Sequence, residues 1–160
     1  MATRAQDEGF SAFAAEQGPR LVRLATLLTG SRHDGEDAVQ EALIALARSW
    51  PRVRMETASA YARKAVVRKA MDVVARRRDV LADEVPERPA EDLRLLRYEE
   101  DRAFFDRLRL LPAQQRAVLV LRYYADLDDA AIAKLLRCTT STVRSNAARA
   151  LARLREEATR

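Results

Sequence analysis

The chain has 160 residues, of which 48% are hydrophobic, and carries 29 Lys and Arg against 24 Asp and Glu for a net charge of +5. That balance permits a nucleic-acid partner without requiring one. The single cysteine, Cys138, excludes an intramolecular disulfide framework. No apolar run reads as a signal peptide or a bilayer span, so a cytoplasmic address and no membrane insertion are expected.

Periodicity predicts an all-α protein. Phe10, Phe13 and Ala14 mark a first helix, Gly18-Pro19 is expected to interrupt it, and Leu21, Leu24, Ala25 and Leu28 resume the pattern before Thr29-Gly30 gives a stop. Asp34 is the expected N-cap of the next helix, with Glu36 and Asp37 in its positively polarised first turn. Val39, Leu43, Leu46, Ala47 and Trp50 form its buried stripe, and Pro51 ends it. The other face holds Asp37, Gln40, Glu41, Ile44 and Arg48. An acidic, amide-bearing face with one apolar residue suits docking on a basic partner, although acids near a helix start also serve the dipole.

A third helix is predicted over roughly residues 57 to 78. Val67, Met71 and Val74 point one way, while Tyr61, Lys64, Arg68, Asp72 and Arg76 share an opposing sector with Lys69 at its edge. An aromatic ring among cations suits single-stranded or distorted nucleic acid, where bases stack on the ring and phosphates meet Lys or Arg. Arg76, Arg77 and Arg78 close the helix, where cations suit the C-terminal dipole as well as phosphate. Charge then changes sign. Residues 1–79 hold 14 basic and 10 acidic side chains and residues 106–160 hold 11 and 6, but residues 80–105 hold 4 and 8, with Pro86 and Pro89. The middle piece reads as an acidic linker between two basic modules.

The last third reads as helix, tight turn, helix. Asp128 is an N-cap for a helix burying Ile132, Leu135 and Leu136; Arg137 and Cys138 form the turn, with Cys138 expected as a small buried side chain. Thr139 caps a second helix that buries Val143, Ala147, Ala150, Leu151 and Leu154. Its outward stripe is Ser141, Ser145, Ala148 and Ala152, flanked by Arg144 and Arg149. Short side chains let a helix sit deep in a major groove while arginines at the edges reach guanine edges or phosphates. An ordinary solvated helix also turns arginines outward; the capped helix and tight turn before it favour DNA.

These segments together resemble an RNA polymerase sigma factor of the sigma-70 family, in its small extracytoplasmic-function (ECF) group and the actinobacterial sigma-E-like branch. LLTGSRHDGEDAVQEAL resembles the stretch that binds the coiled coil of the polymerase beta-prime subunit, YARKAVVRKAMDVVARRR the helix that melts and captures the minus-10 element, and LPAQQRAVLVLRYYADLDDAAIAKLL with its following helix the domain that reads the minus-35 element. The resemblance implies a sigma-2-like helical bundle over 8–79, a linker over 80–103 and a sigma-4-like helix-turn-helix domain over 104–156. It further implies polymerase-binding residues Asp37, Gln40, Glu41 and Ile44; minus-10 residues Tyr61, Lys64, Arg68, Lys69, Arg76 and Arg77; and minus-35 residues Thr140, Ser141, Arg144, Ser145 and Arg149. Implied partners are core polymerase, through its beta-prime coiled coil and beta flap, promoter DNA at the nucleoid, and an anti-sigma factor. Neither cofactor nor metal is implied, and polymerase performs the chemistry.

The sequence departs from the family in the turn, where Arg137 stands for the usual Gly and Thr140-Ser141 for Val-Gly, and in the third helix, where Arg68 stands for Asn and Val73 and Val74 for tryptophans. A non-glycine at 137 is tolerable if its backbone stays out of the left-handed region. Two other readings are weighed. A stand-alone helix-turn-helix regulator would bind operators as a dimer. A di-metal helical-bundle enzyme built on Asp34, Glu36, Asp37 and Glu41 would need Glu-x-x-His pairs, and the one histidine, His33, is placed in a turn.

Overall fold

The computed structural model describes residues 2–80 and 99–160, with side chains over 3–77 and 103–160. Three long helices come first: α1 (Ala2–Thr29), α2 (Arg32–Ser49) and, after a 3-10 turn at Trp50–Arg52, α3 (Met55–Val80). Then follow α4 (Glu99–Arg109), α5 (Ala113–Leu119), whose last turn widens into a π-helical segment at Val120–Tyr124, α6 (Asp129–Leu136) and α7 (Thr140–Ala158). The segment read as a linker lies mostly outside the described residues, and from Glu99 onward it is already helical.

The expected break at Gly18-Pro19 does not occur, since α1 runs unbroken through Pro19. Proline removes the N–H that would bond to the carbonyl four residues back. Pro19 and Ala15 both lie on the exposed side of the helix, while Phe13, Leu21, Leu24 and Leu28 on either side of the break are buried in one cluster. Packing on both flanks therefore holds the helix across its weakest link.

The start of α2 is also corrected. Ser31, in extended backbone at φ −144° and ψ 129°, is the N-cap, and its hydroxyl accepts from the Asp34 N–H. Gly30, at φ 72°, makes the reversal that brings α2 back along α1. Asp34 and His33 consequently fall inside the helix. Asp34 is buried, and its carboxylate accepts from Arg77 Nη2 of α3 at 2.8 Å. A buried carboxylate needs such a partner.

Ala38, Val39, Ala42 and Leu46 of α2 and Ala58, Ala62, Val66, Val67 and Ala70 of α3 line the interior. Met71 and Val74, expected inside, are half-buried, because the fully buried part of the α3 stripe ends at Ala70 among the described side chains. Trp50 closes the cluster, with the Phe10 ring edge-on at 5.4 Å and the Phe13 ring tilted at 5.1 Å. In the second set Phe105, Leu108, Val118, Leu121, Ile132, Val143 and Ala150 are fully buried, and Cys138 is half-buried rather than inside. The buried side chains of both sets form one contiguous core.

Candidate nucleic-acid and polymerase interfaces

The α2 face opposite the core presents Asp37, Gln40, Glu41 and Ile44 to solvent, Ile44 being 49% exposed. Gln40 and Ile44 border a shallow groove of about 380 Å³ between α1 and α2, floored by Phe10, Val22, Val39 and Leu43. Glu36, which pairs with Arg32 at 2.8 Å, lines the same groove, and His33 and Asp37 pair at 3.4 Å on the same helix. Carboxylates beside an apolar trough fit an amphipathic helix with basic flanks.

On α3 the structure turns Tyr61, Lys64, Arg68, Asp72 and Arg76 outward together, and Tyr61 is 49% exposed. The two other cations expected on this surface, Lys69 and Arg77, are half-buried. Lys69 Nζ lies 3.6 Å from Glu41, joining the α3 face to the α2 face, and Arg77 is held by Asp34. Arg77 braces α2 against α3 and can meet phosphate only with its remaining N–H groups. Arg78 falls outside the described side chains.

The helix-turn-helix is built by its caps. Asp128 accepts from the Ala131 N–H at 2.8 Å to start α6, and Thr139 accepts from the Thr142 N–H at 3.1 Å to start α7. Val143, Ala147, Ala150 and Leu154 anchor α7 inward, which leaves Ser141, Arg144, Ser145, Ala148, Arg149 and Ala152 exposed and Thr140 half-buried at the helix start. Between the helices Arg137 sits at φ 53° and ψ 49°, in the left-handed region. The departure from glycine therefore does not relax the backbone, and the turn keeps the geometry a glycine would take.

One residue of this surface escapes sequence reasoning. Asp129, in the first turn of α6, accepts a hydrogen bond from Arg122 and lies 3.4 Å from Arg144 Nε. It ties the π-helical segment to the outward face of α7. The hydrogen bond from Arg122, with Arg144 adding to it, holds the Asp129 carboxyl below the usual carboxylate range. In the sequence Asp129 is merely the second of two adjacent acids at a helix start, a pattern the helix dipole already accounts for.

Family models match two parts of the chain: sigma-70 region 2 over residues 13–80 and sigma-70 region 4 over residues 101–154. An RNA polymerase sigma-E factor of Streptomyces coelicolor is 31% identical over 152 residues, covering 92% of this chain and 85% of the relative. Its counterpart in Streptomyces avermitilis is 30% identical over 152 residues, covering 92% and 84%. The chain belongs to the sigma-70 family of RNA polymerase sigma factors. Within the family it is an ECF sigma factor, one that directs promoter recognition. The fold of this sigma factor also resembles that of RpoE from Bartonella quintana, solved with the anti-sigma factor NepR, at a TM-score of 0.67 and 22% identity over 93% of this chain and 96% of that one. A region 2 match beside the region 4 match is something an operator-binding dimer does not require, so the stand-alone regulator is not favoured. Among the described residues no group of three or more His, Cys, Asp or Glu is placed to hold a metal ion, and no helix is long and apolar enough to cross a membrane.

Proposed function

We propose that this sigma factor acts by binding free energy alone, each of three surfaces taking one partner. Asp37, Gln40, Glu41 and Ile44 dock on the beta-prime coiled coil of core polymerase, which seats an apolar side chain in the adjoining groove; the second helical set meets the beta flap. Tyr61, Lys64, Arg68, Lys69, Arg76 and Arg77 hold the opened minus-10 strand. Thr140, Ser141, Arg144, Ser145 and Arg149 read the minus-35 duplex. The observation that carries this reading is that the chain turns three chemically distinct faces outward: acidic and apolar on α2, aromatic and cationic on α3, small and arginine-edged on α7.

Such a protein works at the nucleoid in the cytoplasm, needs no cofactor and leaves the chemistry to polymerase. The Bartonella relative is bound by an anti-sigma factor, and a protein of that kind is the proposed regulator here. Co-elution of the purified chain with bacterial core polymerase on a sizing column tests the reading. The wild type is expected to co-elute stoichiometrically and the Asp37→Lys, Glu41→Lys double variant to elute alone with its helicity intact. Unchanged association of the variant removes these residues from the interface, and no association of the wild type removes the reading itself.

A further inference from the structure

The two oxygens of the Asp129 carboxylate go to two different cations. Oδ1 accepts from Arg122 Nη2 of the π-helical segment, and Oδ2 lies 3.4 Å from Arg144 Nε on α7. The chain around Arg122 is fixed by backbone bonds, from the Ala125 N–H to the Val120 carbonyl at 3.1 Å and from the Leu127 N–H to that of Leu121 at 3.0 Å. Asp129 stands in the first turn of α6, which Asp128 already caps. The helix dipole is served by a carboxylate pointing anywhere around that turn. It does not account for one oxygen spent on each of two neighbouring elements. The Asp129 side chain is 27% exposed and that of Arg144 is 68% exposed, so the carboxylate is largely shielded while the guanidinium it holds is open to a partner.

A guanidinium offers two edges to a bidentate acceptor: Nε with one Nη, or the two Nη groups together. Asp129 takes the Nε of Arg144, which leaves the Nη1 and Nη2 edge. Its paired N–H groups match the O6 and N7 acceptors that guanine presents in the major groove. An unanchored arginine must be ordered on binding and can turn to phosphate as readily as to a base; an anchored one has fewer alternatives. The carboxylate also cancels one positive charge that would otherwise favour any duplex regardless of sequence.

We propose that Asp129 is a positioning and specificity-determining residue for minus-35 recognition: it holds Arg144 by Nε so that the two Nη groups meet a single guanine, and it withholds the charge of that arginine from indiscriminate phosphate binding. This rests on the proposed minus-35 role of Arg144. The two effects carry a signature that a merely structural role lacks. Loss of Asp129 weakens sequence choice while strengthening non-specific binding, whereas a loosened helix-turn-helix weakens both.

Holoenzyme reconstituted from core polymerase and the full chain is offered randomised duplexes long enough to hold both promoter elements, and the retained pool is sequenced. The wild-type pool is expected to fix one guanine that Arg144→Ala leaves free to vary. Asp129→Asn, of the same shape and with the Asp128 cap intact, is expected to lower the preference for that guanine about fivefold or more and to leave the other selected positions unchanged. Combined with Arg144→Ala it should change nothing further, since the two residues act as one unit. On a shuffled duplex Asp129→Asn is expected to bind more tightly, with a salt slope steeper by about 0.9 for one added phosphate contact. Full preference for the guanine in Asp129→Asn overturns the proposal, as does equal weakening on selected and shuffled duplexes. Should Asp129→Asn lose helicity, Asp129→Glu keeps the charge in the first turn of α6 and displaces it by one methylene; it is expected to keep the wild-type salt slope and lose preference, and undiminished preference overturns the positioning. A pool that Arg144→Ala leaves unaltered overturns the minus-35 role of Arg144 together with this inference, whereas one altered by Arg144→Ala and not by Asp129→Asn overturns the inference alone.

Discussion

Arg137 offers a direct measure of backbone strain at the turn of the helix-turn-helix. An L-residue in the left-handed region costs about 1–2 kcal/mol, and at φ 53° and ψ 49° Arg137 bears that cost. Glycine escapes it but surrenders about 0.5–1 kcal/mol more chain entropy on folding. Arg137→Gly should therefore exceed Arg137→Ala in stability by up to about 1.5 kcal/mol, the midpoint of the two effects being ~0.75 kcal/mol. For a chain of this size that is a difference of up to about 6 °C in Tm. Alanine is the proper reference because both variants delete the same guanidinium, and only the backbone preference differs between them. Thermal unfolding followed by circular dichroism gives the difference. The reasoning fails if Arg137→Ala melts at or above Arg137→Gly, since the strain would then be absent or relieved elsewhere. Minus-35 duplex affinity should be the same for the two variants, because the turn geometry is common to both.

Gly35→Ala should destabilise the protein even though alanine is the better helix former by about 1 kcal/mol: its Cβ would stand 2.6 Å from Thr26 Oγ1 and 2.7 Å from the Thr26 backbone nitrogen. Overpacking of about 1–3 kcal/mol against backbone that cannot move aside decides the sign, and a urea melt with a higher midpoint than wild type would refute it. Because the Asp129 carboxyl is held below its ordinary value, the ties to Arg122 and Arg144 are complete above the unfolded carboxylate pKa of about 3.9 and are lost as pH falls through the depressed value. Asp129→Asn should accordingly flatten the acid limb of the stability profile of the helix-turn-helix, and an unaltered limb argues against the tie. Arg144→Ala should weaken minus-35 recognition by about 1–3 kcal/mol if the guanidinium reads a base edge; a filter-binding series that falls equally on all duplex sequences reassigns it to phosphate.

Much of this protein was legible in one dimension because its signals are local. The N-caps Asp128 and Thr139, the buried stripe of α7 and the exposed sector of α3 follow from hydrogen-bonding preferences and 3.6-residue periodicity, which act over a few residues and need no tertiary partner. Two local signals misled where distant groups outweighed them. Pro19 reads as a break, yet flanking side chains packed on α2 and Trp50 keep α1 whole. Asp34 reads as a cap, yet Arg77, 43 positions away, draws it into the interior and leaves the cap to Ser31.

The contacts that unite the surfaces were beyond sequence reasoning altogether. Glu41 with Lys69, Asp129 with Arg144 and Arg116 with Leu28 join residues 15 to 88 positions apart, and nothing in the identity of a charged residue names its partner. Composition and periodicity determined which helices form and which sides face water, because burial of an apolar stripe is written into its spacing. Only the tertiary structure decided which charges pair across helices and that the two helical sets close on one another, because those choices depend on where the chain returns in space.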